Sequence, residues 1–114
     1  NRDWRDNVTL FEATLRENPN SLRVHYNLAV AFESVEKSFP PALRHYATVA
    51  AMAEQAGPAA LRQELEAYYY AGNVLLADGR PQEAYAQFQR ILEKGRDEQS
   101  FDLVAAAIVA IGES

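Results

Sequence analysis

Five prolines divide this chain, and each stands where a helix can begin or a loop can run. A proline inside a helix removes a backbone donor and clashes with the preceding turn, so these positions mark boundaries. Asn18-Pro19-Asn20-Ser21 separates an opening helix from the next and offers Asn20 or Ser21 as N-cap. Pro40-Pro41 starts another helix after Ser38, and Gly57-Pro58 places a C-terminal glycine before a first-turn proline. Asp78-Gly79-Arg80-Pro81 reads as a tight helix-to-helix turn, and Gly95 closes the helix that follows. This punctuation predicts six helices, near 3–17, 21–36, 41–56, 59–77, 81–94 and 99–111. Ala, Glu, Gln, Arg and Leu dominate, and no stretch alternates with period two, so the expected fold class is all-α.

Apolar stripes at helical spacing support these limits. Trp4, Val8, Phe11 and Leu15 fall on one face of the first helix. Leu22, Leu28, Ala29, Phe32 and Val35 mark the second, and Leu61, Leu65, Tyr68, Gly72 and Leu75 the fourth. At 114 residues the chain is one domain by length. Its net charge of −5 is unevenly placed: residues 1–50 carry six basic and six acidic side chains, residues 51–114 five and ten. No basic stripe exists to bind a phosphate backbone, so no nucleic-acid partner is expected. There is no cysteine, which excludes disulfides, thiolate zinc sites and thiol chemistry. No apolar run approaches the ~20 residues that a membrane span requires. The opening Asn1-Arg2-Asp3-Trp4 has neither an initiator Met nor a signal-peptide pattern, and reads as the start of a piece of a longer protein.

Two helix-pair patterns recur. Tyr68-x2-Ala71-Gly72-x2-Leu75 precedes Ala84-x3-Phe88, and His25-x2-Leu28-Ala29-x2-Phe32 precedes Ala42-x3-Tyr46. Together these resemble the tetratricopeptide (TPR) repeat, which has an aromatic, a Leu-Gly pair and an aromatic on one helix and Ala-x3-Phe on the next. Phe11 to Tyr46 is 35 residues and Tyr46 to Phe88 is 42, against a family period of about 34. The first interval's extra residue falls around residues 38–41. The surplus in the second fits between Met52 and Leu61 as about one more turn on each flanking helix. The resemblance implies an α-solenoid with a half-repeat at 1–19, helix pairs at 20–57 and 58–96, and a capping helix at 97–114. Small residues at Gly72, Ala84, Ala29 and Ala42 would let paired helices approach closely.

A narrower likeness lies at the start. Asn1 to Phe11, then Asn18-Pro19-Asn20-Ser21 and Val24-His25-Tyr26-Asn27-Leu28-Ala29, are similar to the junction in polytopic transmembrane-and-TPR proteins. There a Trp-x-Asp segment follows the last membrane span. This likeness implies an extracytoplasmic accessory domain attached to a glycosyltransferase-like membrane part. The chain departs from it in having two full helix pairs and Ala29 where glycine is usual.

The TPR resemblance implies a scaffold that holds a peptide or protein partner in a concave groove. That groove would be lined by Arg23, Tyr26, Asn27, Val30 and Glu33, then by Glu66, Tyr69, Tyr70, Asn73 and Leu76. Consecutive residues lie about 100° apart around a helix, so Tyr68, Tyr69 and Tyr70 cannot all enter the core. Tyr68 is assigned to the core, Tyr69 and Tyr70 to the groove. The carboxylate clamp of some TPR domains is disfavoured, because Tyr26 and Tyr69 stand where it needs Lys. In the last helix Phe101, Val104, Ala105 and Ile108 are expected to face the core. Leu103, Ala106, Ala107, Val109 and Ala110 would then form an outer face for a second copy or for chain beyond the C-terminus. His25 and His45 are expected nearly 10 Å apart along the helix axis, so no metal site is assigned. Glu64 and Glu66 point to different faces, Ser21 and Ser38 read as caps, and no glycine-rich phosphate loop is present. Neither an enzyme nor a cofactor is expected of this segment.

Overall fold

In the computed structural model, which describes residues 4–17, 21–36, 39–95 and 100–112, the signals at Pro40-Pro41, Gly57-Pro58, Gly79 to Pro81 and Gly95 fall at helix ends. Six α-helices follow in order among the described residues: α1 (Trp4–Glu17), α2 (Leu22–Ala31), α3 (Phe39–Ala56), α4 (Leu61–Ala77), α5 (Pro81–Lys94) and α6 (Phe101–Gly112). No strand occurs among them, and the fold is all-α. Ser21 is the N-cap of α2: its extended backbone leaves Oγ free to accept the Val24 amide at 3.2 Å. The α4–α5 turn closes on Gly79, whose φ of 74° suits glycine and few other residues. Its amide donates to Leu76 and that of Arg80 to Leu75, which satisfies carbonyls at the end of α4.

Two departures from simple helix counting are informative. The segment expected as one helix over 21–36 ends in a π turn, Phe32–Glu36. A π turn holds one more residue than an α turn, and it lies before residues 38–41, where the sequence count placed its extra residue. The surplus between Met52 and Leu61 lengthens the helices there: α3 and α4 have 18 and 17 residues against 14 in α5.

Each helix packs chiefly on its neighbours in sequence, and α4 lies between α3 and α5. Both faces of α4 are therefore apolar. Leu65, Tyr68 and Leu75 join a cluster with Ala84, Phe88 and Ile91 of α5, and with Leu103 and Ala107 of α6. Ala71 and Val74 join Ala29, Ala42 and Tyr46 in a second cluster. At the α4–α5 contact a Cβ on Gly72 would sit 2.6 Å from Phe88 Cε1. Only a residue without a side chain lets Phe88 lie flat there. Ala29, Ala42 and Ala84 are also fully buried, as small residues at helix contacts should be.

Candidate functional site

Three consecutive tyrosines of α4 divide the chemistry of this molecule, because helical rotation sends each in a different direction. Tyr68 is buried against α5, and its hydroxyl donates to Glu64 Oε2 at 2.6 Å. Tyr70 turns toward α2 and α3, where it stacks on Tyr46 (5.9 Å, 21°) and meets the edge of Tyr26 (5.9 Å, 74°). Tyr69 turns toward α6. With Asn73 and Leu76 it forms one wall of an open groove whose other wall is Ala105, Ala106, Val109 and Ala110. This groove encloses about 640 Å³, and none of these lining side chains is charged.

The residues expected to line one continuous groove are thus divided. Tyr69, Asn73 and Leu76 line the α4–α6 groove together with Val109 and Ala110, which had been assigned to a separate surface. Tyr26, Tyr70 and Glu33 are engaged within the chain. Tyr26 and Tyr70 belong to the ring cluster on Tyr46, and Glu33 Oε1 accepts the Tyr46 hydroxyl at 2.7 Å. Burial, then the Glu33 hydrogen bond, push the Tyr46 phenol above its ordinary range. Burial and a hydrogen bond with Tyr70 do the same for Tyr26. Glu66 lies 3.7 Å from the guanidinium of Arg62, one turn away on the same helix. Asn27 and Val30 are half-buried on α2, and Arg23 is exposed.

The rotation of α6 is a correction. Leu103 and Ala107, expected to face outward, are buried at 7% and 0% exposure, while Phe101 and Ile108, expected to face inward, are 73% and 56% exposed. Ala105 is exposed, Val104 is half-buried, and Val109 remains outward at 56%. A helix apolar on nearly every side has no sequence signal that chooses its inner face. Here an ion pair accompanies the choice: Arg62 of α4 donates to both carboxylate oxygens of Asp102, at 2.6 and 2.8 Å. With Asp102 held against α4, the next residue, Leu103, faces the core.

His25 and His45 are a second correction, for their Nδ1 atoms lie 3.0 Å apart, not nearly 10 Å. The larger separation places the two residues at different heights along the paired helices. The register is instead set where α2 and α3 close on small residues, Ala29 and Ala42, which share one buried cluster. His25 lies four residues before Ala29 and His45 three after Ala42, so in an antiparallel pair both sit about one turn from the contact. Phe32 of the π turn stacks on His45 (5.9 Å, 3°).

Sequence reasoning missed the ionic centre on the opposite side. Glu64 is 3% exposed, and its carboxylate accepts from both Tyr68 and Lys94 Nζ, the latter also reaching Glu54 at 2.5 Å. Hydrogen bonds to Glu54 and then Glu64 raise the Lys94 ammonium above its ordinary range. Arg90 lies over the Tyr68 ring at 5.6 Å. Beside this centre a cleft of about 370 Å³ runs between α3 and α5, floored by Ala50, Ala67 and Ala71 and edged by Glu54, Gln87 and Arg90. The available signal was Glu64 lying one helical turn before Tyr68, beside the apolar stripe of α4. Among the described residues no three of His, Cys, Asp and Glu come together as a metal site would require.

No family model matches the chain, and no curated protein or solved structure matches it. Among the described residues no helix is long and apolar enough to cross a membrane. Residues 1–3 and 18–20, and the side chains of Trp4 to Val8 and Phe11, which carry much of the junction likeness, lie outside those described, as does Ser38.

Proposed function

We propose that this protein is a TPR-like interaction module that holds an apolar peptide or helical segment of a protein partner between α4 and α6. The observation that carries this reading is the open groove lined by Tyr69, Asn73, Leu76, Val109 and Ala110. Tyr69 offers a large ring with a polar tip, and Asn73 offers a carboxamide that can donate to and accept from a partner backbone. With no charge among its lining residues, the groove favours an apolar segment over an acidic tail. Support for the TPR-like arrangement comes from the recurring motifs and from the pairing of α2 with α3 and α4 with α5.

The test is to select peptides on the wild-type chain and measure them against Tyr69→Ala/Asn73→Ala. Binding should fall at least tenfold while helicity by circular dichroism stays the same. Selected peptides indifferent to both changes would remove the groove from the reading.

A second reading rests on the outer face of α6. Phe101 and Ile108, seven residues apart on one face of α6, are exposed, and the Asp102 charge is matched by Arg62. Two copies could meet there without bringing net charge together. Light scattering from micromolar to millimolar decides it: a constant monomer mass eliminates the dimer.

A further inference from the structure

The ring centroids of His25 and His45 are 5.2 Å apart and their Nδ1 atoms 3.0 Å. The difference is about the sum of the two imidazole radii, so the nitrogens lie almost on the line joining the rings. A lone pair on one nitrogen therefore points at an N–H on the other. That alignment suits a proton. A metal ion would need both lone pairs to converge on a third point.

Proton bookkeeping then sets the behaviour of the contact. With both rings neutral, one carries hydrogen on Nδ1 and donates to the bare Nδ1 of its partner. One added proton gives an imidazolium donating to an imidazole, which retains the bond and makes it charge-assisted. A second proton leaves two N–H groups and two positive charges facing each other, and the bond is gone.

We propose that the His25–His45 pair is a proton-operated clasp between α2 and α3, closed with up to one added proton and opened by the second. Desolvation opposes that second proton at His45, while the charged groups around the pair are of both signs. Among described side chains on the elements around the pair, α1 contributes Glu12, Arg16 and Glu17 and α2 Arg23 and Tyr26. The π turn contributes Glu33, α3 contributes Arg44, Tyr46 and Glu54, and α4 contributes Arg62, Glu64, Glu66, Tyr68, Tyr69 and Tyr70. Burial first, then the charges of His25 and Arg44, hold the His45 imidazole below its ordinary range. The unfolded chain takes up this proton more readily than the folded one. Stability is therefore full above the unfolded value of about 6.5 and is lost as pH falls below it.

The experiment follows the thermal midpoint of the wild type and of His25→Asn from pH 8 to pH 5. An asparagine amide sits near the position of Nδ1 and can donate to neutral His45 or accept from its charged form. The wild type should lose about 4–8 °C more than the variant between pH 7 and pH 5. Equal losses would overturn the clasp. NMR of the wild-type imidazoles gives an answer that does not depend on the variant folding. Two separate steps, the later one below the ordinary histidine range, support the shared proton, and two independent titrations near pH 6.5 exclude it.

Discussion

At the scale of single residues, the most constrained position is Gly72. A methyl group there would meet Phe88 Cε1 at 2.6 Å, inside any acceptable carbon contact. Alanine normally improves a helix by about 1 kcal/mol over glycine. Gly72→Ala should nevertheless lose about 1–3 kcal/mol through overpacking, read from urea unfolding, and Phe88→Leu in the same chain should recover part of it. Lys94 is the complementary case. Lys94→Met removes one partner of the buried Glu64 carboxylate and leaves the Tyr68 hydroxyl as its remaining support. Because the Lys94 side chain is 36% exposed, solvent screens the pair, and the expected cost is about 1 kcal/mol. The double variant Glu64→Gln/Lys94→Met should cost less than the sum of its parts. Strict additivity would mean that the pair does not interact. The small residues of both pairs were legible in the sequence because spacing alone aligned them. The burial of Glu64 was not, since a glutamate one turn before a tyrosine reads equally well as a surface residue.

At the scale of the element, α2 and α6 respond to different forces. The α2 start depends on one hydroxyl, so Ser21→Ala should cost about 1 kcal/mol and speed amide exchange at Val24. The position of α6 is accompanied by the Arg62–Asp102 ion pair. Arg62 holds the Asp102 carboxyl down to about 2, mainly by hydrogen bonding. Its folded value lies below the unfolded one, so this contribution is present above about pH 4 and is lost as pH falls toward 2. Asp102→Asn should increase amide exchange in α6 at neutral pH without altering α2 or α3. Exchange in α6 unchanged from the wild type would show that apolar packing alone fixes α6. Helix limits were readable from proline and glycine chemistry. The rotation of α6 was unreadable because apolar residues cover nearly all of its circumference.

At the scale of the whole molecule, three buried or half-buried phenols respond to alkali in concert. Tyr26, Tyr46 and Tyr68 all hold their protons more tightly in the fold, chiefly through burial, and so does Lys94 through its glutamates. The unfolded chain releases those protons first, so stability is full below about pH 10 and falls as pH rises beyond it. Tyrosinate absorbance should therefore rise in step with loss of helicity. Complete ionisation with the helices intact would contradict the packing around Tyr46. The order of contacts adds a second expectation. With each helix resting chiefly on its sequence neighbours and α4 enclosed between two of them, exchange protection should be greatest in α4 and least in α1.

By itself the sequence determined what local chemistry governs. Proline, glycine and cap residues set six helices, and apolar spacing and small residues set the close contacts of α4 with α5. It also assigned Tyr68 inward and Tyr69 outward, since a turn of 100° per residue is a property of the helix alone. Only the tertiary structure decided the relations between elements. It placed His25 against His45, sent Tyr70 onto Tyr46 and away from the groove, turned Leu103 inward and Phe101 outward, and joined Tyr69 to Val109 across one opening. Each depends on how far one helix slides or rolls on another. The sum of contacts over the whole interface sets those two motions, and no single stretch of chain encodes them.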